Sequence, residues 1–178
     1  MLLHDAGKPL CFTLDAEGNG HFYGHPAVSR ELAADVLSRL KFDGRSRERI
    51  LTLVEWHDRN IPRTERGIAR ALRALGEERL RDLLAVKRAD NLAQAPEFRS
   101  MQGELDRAEA LLDGLLARDA CFSLRQLAVN GRDLTERGFR GKAVGAELAR
   151  LLDAVVDGDL PNERTVLLAA AERERPEP

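Results

Sequence analysis

The chain has few aromatic residues, few cysteines and no excess of either charge. Six Phe, one Tyr and one Trp make up only 4% of its 178 residues. Leu, Ala, Arg and Glu fill long stretches instead, a composition that favours helices, so little or no sheet is expected. Cys11 and Cys121 lie far apart with no CxxC spacing. They form no thiolate cluster that would force zinc, and they read as two free thiols in a reducing cytoplasm. No apolar run approaches the length of a membrane span or a signal-peptide core, so a soluble cytoplasmic protein with no membrane partner is expected. Lys and Arg number 28 against 30 Asp and Glu, a net charge of −2. That excludes a polycation holding nucleic acid by overall charge. Locally the balance shifts: residues 45–99 carry thirteen basic against nine acidic side chains, and residues 123–145 carry five against two.

The length allows one domain, or one domain with a sizeable appendage, and is enough to bury a core. Residues 7–25 hold four glycines and a proline and read as a long loop. From Pro26, the apolar Val28, Leu32, Val36 and Leu40 recur every four residues, predicting an amphipathic helix that ends near Phe42-Asp43-Gly44. Further helices are predicted over 46–58, 64–75 and 77–94, with Ser46 and Thr64 as N-caps and with Pro62 and Gly76 at the breaks. After Pro96 a long helix carries Leu105, Ala108, Leu112 and Leu115 on one stripe. From Cys121 onward short helical runs alternate with Gly-rich turns, and the final "AERERPEP" is expected to fray.

Four histidines are present, at 4, 21, 25 and 57. His57 follows Ile50 and Val54 at helical spacing and so falls on their inward face; Asp90 stands in the same relation to Leu83 and Val86, and His25 precedes Val28 and Leu32. A carboxylate on a buried stripe is expensive unless something positive meets it. His25, His57, Asp90 and the His4-Asp5 pair could therefore converge on a divalent cation, whose bound water would attack phosphate esters. Taken singly, each has a plainer reading: a satisfied core histidine, or an aspartate paired with Arg88 or Arg49.

The stretches "LLHDAGKP", "GHFYGH", "LVEWHD" and "VKRADNLAQ", in that order, resemble the HD phosphohydrolase superfamily. More specifically, they resemble the C-terminal half of bacterial CCA-adding tRNA nucleotidyltransferases and their poly(A) polymerase relatives. "LAVNGRDLTERGFRGKAVGAELARLLDAVVDGDLPNE" resembles that family's RNA-contacting end, so nearly the whole chain is covered. The resemblance implies an all-α fold: an HD-type helical bundle over 1–98, a connecting helix over 99–120 and a smaller helical, RNA-binding tail over 121–178. It implies a divalent metal (Mn, Ni, Co, Fe, Mg or Zn), with His4 and Asp5 as the pair, Asp90 as the distant aspartate, and His25 and His57 able to build a second site. Asp5 and Lys8 are the implied catalytic groups. Lys8 would meet a substrate phosphate, although its position suits capping a helix C-terminus equally. His21 is left out, as a residue of the flexible Gly-rich loop.

The implied activity is hydrolysis of phosphomonoesters or 2′,3′-cyclic phosphates. In the family a further metal-binding His precedes the pair; here only Met1, Leu2 and Leu3 stand there, so the ligand set is expected to be one short. The nucleotidyltransferase head has no counterpart, so the chain is not expected to add nucleotides by itself, and it reads as a truncation, a split gene or a fragment. Apolar surface near Leu2, Leu3 and Leu10 is expected to favour a homodimer.

"RGFRGK" sets Gly138 and Gly141 ahead of a helix predicted from Lys142. Arg132, Arg137, Arg140 and Lys142 could hold RNA phosphates there, with tRNA as the partner the resemblance implies; without it the segment reads equally as a solvated connector. The alternative to hydrolysis is thus a non-catalytic tRNA-binding body and tail. Arg59, Arg63, Arg66, Arg70 and Arg73 form a second basic run that reads first as a solvated face.

Overall fold

In the computed structural model, which describes residues 2–174, the chain is predominantly α-helical, as expected. Eight α-helices are present among the described residues: α1 His25–Arg39, α2 Gly44–Trp56, α3 Glu65–Leu75, α4 Glu77–Ala93, α5 Gln102–Ala117, α6 Gly131–Glu136, α7 Lys142–Val156 and α8 Arg164–Arg173. Residues 7–25 are not a plain loop. A 3-10 turn over Lys8–Leu10 leads into a small antiparallel hairpin, β1 Thr13–Leu14 and β2 Gly20–His21, with Thr13 opposite His21. At the other end α8 runs through Arg173, so of the stretch expected to fray 171–173 are helical, and its last four residues lie outside the described ones.

The chain forms two compact units. One comprises the chain up to Asn60 together with Glu77–Asp106; the other comprises Ile61–Gly76 and the chain from Arg107 onward. This grouping departs from the expected divisions at 98 and 120. The reason lies in α3, whose Arg66 and Arg70 pair with Asp157 and whose Arg73 pairs with Asp153, both carboxylates belonging to α7 and its C-cap. The basic run is therefore a clamp rather than simply a solvated face. Arg59, outside α3, stacks at 4.3 Å on Trp56.

In the first unit α1 packs against α2, and α2 against α4. The buried stripe of α1 is His25, Ser29, Ala33 and Leu37, one residue later than the stripe read from the sequence. Val28 and Val36 are half-buried, and Leu32 and Leu40 are exposed. Ala33 and Leu37 join Leu51 and Val54 in a core cluster onto which Leu3, Ala34 and Ile50 pack. α2 begins earlier than expected because its N-cap is Asp43, whose side chain accepts from the Ser46 backbone N–H; Ser46 is already inside the helix. Thr64 caps α3 as read, accepting from Gly67 N–H.

In the second unit, Leu105 aside, the α5 stripe is buried through Ala108, Leu112 and Leu115. Asn130 and Asp133 form a reciprocal capping box at α6, and Leu134, Leu151, Leu152 and Leu167 are completely buried.

Candidate metal centre

The His4-Asp5 pair sits in a tight turn closed by Lys8 N–H donating to Asp5 C=O at 3.0 Å. Two contacts hold that turn on α1. Leu3 enters the core cluster, and Gly7 N–H donates to Ser29 Oγ at 2.9 Å in a buried bond. A Cβ on Gly7 would meet Ser29 N at 2.7 Å and His25 O at 2.8 Å, so the turn approaches the first turn of α1 as closely as a backbone can. This explains the shifted stripe. A small hydroxyl at position 29 and an imidazole at position 25 fill the face where larger apolar groups would keep the turn away.

His25 begins α1 and His57 caps the end of α2. Each ring is oriented by the backbone: His25 Nδ1 lies 2.9 Å from Phe22 O and His57 Nδ1 lies 2.7 Å from Val54 O. A carbonyl only accepts, so both Nδ1 atoms carry the proton, and in the neutral form each ring presents an Nε2 lone pair. Those Nε2 atoms are 3.2 Å apart. Asp5 Oδ1 stands 3.3 Å from the first and 3.5 Å from the second. That oxygen is buried and has no hydrogen-bond partner. Its other oxygen, Oδ2, accepts from Lys8 Nζ at 2.7 Å and lies 3.3 Å from His4 Nε2. His4 Nε2 in turn lies 3.3 Å from Asp90 Oδ1.

All five expected ligands thus gather at one place, and Lys8 adjoins them. Asp90 is not inward, however: its side chain is 47% exposed and stands at the rim. Asp90 Oδ1 faces His4, while Arg49 binds Glu78 and Asp82, and Arg88 binds Asp106. Lys8 does not cap a helix through its ammonium, which goes to Asp5.

Burial pushes the Asp5 carboxyl upward, but its Lys8 hydrogen bond and the charges of His4, Lys8 and His57 outweigh this, leaving it below the ordinary carboxylate value. Burial holds the His57 imidazole below its ordinary value, so it favours the neutral form. Three lone pairs among buried atoms repel one another unless a positive charge stands between them. The donor set fits a hard or borderline divalent cation: one atom each from His4, Asp5 and His57 lies within 4.8 Å of the others. The carbonyl-oriented imidazoles are the arrangement usual for metal-ligating histidines.

Some contributors carried no signal in the sequence. Lys87 donates to the carbonyls of His57 at 2.6 Å and Arg59 at 2.9 Å, fixing the chain that carries His57. Ser29 anchors Gly7. Both act on backbone atoms, and only periodicity counted from the true stripe could have pointed to Ser29. His21 is not in a flexible loop; it belongs to β2 and contacts Asp15 Oδ2 at 2.8 Å.

The expected RNA-contacting residues are less free than their sequence suggests. Arg132 pairs with Glu136, Arg137 pairs with Glu172, and Arg140 donates to the carbonyls of Thr135 and Phe139. Lys142 is exposed at the start of α7, where Gly141 precedes it with φ of 53°. Leu2 and Leu10 are exposed, whereas Leu3 is drawn into the core cluster.

Comparison with known proteins gives these features a family. A family profile described as tRNA nucleotidyltransferase domain 2 matches residues 25–171. A CC-adding tRNA nucleotidyltransferase of Thermus thermophilus is 33% identical over 159 residues, which cover 88% of this chain and 35% of that protein. An A-adding tRNA nucleotidyltransferase of Deinococcus radiodurans is 39% identical over 93 residues, covering 52% of this chain and 21% of that protein. The chain therefore spans about a third or less of the length of these relatives. No solved structure matches it. With the profile spanning most of its length, the chain belongs to the tRNA nucleotidyltransferase domain 2 family.

Proposed function

We propose that this chain is the body and tail of a tRNA-processing nucleotidyltransferase-type protein, and that its His/Asp cluster is a metal-dependent phosphohydrolase centre for phosphomonoesters or 2′,3′-cyclic phosphates. The observation that carries the reading is the buried, unpartnered Asp5 Oδ1 facing the Nε2 atoms of His25 and His57. His4, Asp5 and His57 would hold the cation, Mn, Ni, Co, Fe, Mg or Zn, with His25 beside them and Asp90 orienting His4. When bound, such a cation lowers the pKa of water enough to supply a nucleophile near neutral pH. Lys8, held beside Asp5, is placed to bind phosphate oxygens. Metal content of the purified protein, combined with phosphatase assays over Mn, Ni, Co and Mg, tests this; no bound metal and no turnover with any of them overturns it.

A second reading, a tRNA-binding segment without catalysis, is favoured by one observation: the family match begins at residue 25 and leaves His4 and Asp5 outside it. It calls for salt-sensitive tRNA binding weakened by Lys142→Ala and Arg140→Ala. Because Arg140 is tied to two carbonyls, the lysine change should have the larger effect. The apolar surface that Leu2 forms with Val36, Leu40 and Phe42 suits pairing with a second copy. Sedimentation at rising concentration tests that pairing.

A further inference from the structure

In a chain with eight aromatic residues apart from histidine, three, Phe12, Phe22 and Tyr23, lie on or beside the small hairpin that leads into α1. None is buried: Phe12 is 53% exposed, Phe22 38% and Tyr23 76%. Exposed aromatics are usually costly, and here they are held in fixed positions. Asp15 Oδ2 binds His21 Nε2 at 2.8 Å while its carboxylate also accepts from Asn19 and Glu17 N–H groups across the turn. His21 then stacks on Tyr23 with centroids 4.9 Å apart and ring planes only 13° from parallel. The Phe12 ring lies over Gly20, where a Cβ would come within 2.8 Å of it, and packs at 5.5 Å on Phe22. The rings are thus ordered before anything binds, which lowers the entropy cost of stacking a ligand on them.

The same element touches the candidate metal centre. Phe22 supplies the carbonyl that orients His25. Lys8 Nζ lies both 2.7 Å from Asp5 Oδ2 and 5.7 Å from the Phe22 ring centroid. One ammonium therefore adjoins an aromatic surface on one side and a phosphohydrolase-type cluster on the other, the pairing a nucleotide needs for its base and its phosphate.

We infer that the ordered rings of the hairpin, the Phe12–Phe22 pair beside Lys8 and the His21–Tyr23 stack, form a stacking platform for the terminal bases of a single-stranded RNA 3′ end, presenting its terminal phosphate to the His/Asp cluster. This rests on the phosphohydrolase reading for the fate of the phosphate, but not for the binding. The open form of the platform selects a strand over a free nucleotide. Small-molecule sites are concave and enclose most of their ligand, whereas these rings lie at the surface and offer more than one face, as platforms for single strands do.

The test is fluorescence anisotropy of a short labelled single-stranded RNA with a 3′-phosphate, added to the full chain without metal. Tyr23→Ala is expected to weaken binding by about tenfold, the order reported for loss of one base–aromatic stack, and Tyr23→Phe to restore it. A blunt RNA duplex and the matching 3′-mononucleotide are expected to bind at least tenfold more weakly than the strand. Unchanged strand affinity in Tyr23→Ala, equal binding of the duplex, or equal binding of the mononucleotide each overturns the inference. Because the measurement uses no metal and no turnover, it is separable from failure of the hydrolysis reading, which the metal and phosphatase assays decide.

Discussion

His25 Nε2 stands 3.2 Å from His57 Nε2, although each ring already donates its Nδ1–H to a backbone carbonyl, of Phe22 and Val54 respectively. Two imidazole lone pairs this close, with Asp5 Oδ1 beside them, need a shared positive charge. The protein can supply it as an extra proton or take it up as a metal ion. Replacing His25 with Ala removes one donor and opens the wall of the cluster, and is expected to weaken divalent-metal binding about 10- to 100-fold, the range for loss of a supporting group at a metal site. Equilibrium dialysis against Mn and Ni checks it.

Gly7 and Ser29 form the joint between the His4-Asp5 turn and α1. Gly7→Ala would force a methyl against Ser29 N and His25 O and is expected to destabilise the chain by about 1–3 kcal/mol through overpacking. Ser29→Ala leaves Gly7 N–H buried without its acceptor, with an expected cost of about 1–3 kcal/mol. Urea denaturation measures both. Equal stability of Gly7→Ala and the parent chain would show that the turn does not sit on α1 as described.

Lys87 holds the carbonyls of His57 and Arg59 through its ammonium. Lys87→Met keeps the stem and removes those bonds. Metal affinity is expected to fall several-fold while the helical circular-dichroism signal is retained; unchanged affinity would restrict Lys87 to a role in stability.

The fold was readable in the sequence where a helix buries purely apolar side chains. Leu105, Ala108, Leu112 and Leu115 lie at helical spacing and all four are buried. α1 was misread by one residue because its inward stripe carries Ser29, which periodicity scores as outward, while Leu32 and Leu40 of the apolar stripe are exposed. Residue type gave the five candidate ligands, since imidazole and carboxylate on inward faces are conspicuous. It could not give Lys87 or Ser29, whose partners are backbone atoms, nor the hairpin, whose strands have two residues each. Asp90 follows Leu83 and Val86 at inward spacing but comes near the end of α4, where the helix emerges to solvent.

Asp157 sets the response of the α3–α7 clamp to acid. Hydrogen bonds from Arg70 and Arg66 hold its carboxyl well below the ordinary 3.8. The unfolded chain therefore takes up this proton first as pH falls. The clamp contributes fully above the ordinary carboxyl value, and its contribution is lost progressively below that value. The stability of the second unit is expected to fall as pH drops from about 5 toward 2, with part of that slope missing in Asp157→Asn. Denaturation midpoints of the two proteins across that range test it; parallel slopes would contradict it.

The most direct measurement of the central claim is calorimetric titration of the metal-stripped chain with Mn or Ni, alongside Asp5→Asn and His57→Ala. Saturable binding by the parent chain, lost or sharply weakened in both variants while their helical content persists, is the expected result. No binding by the parent chain, or equal binding by all three, would contradict a metal centre at His4, Asp5 and His57.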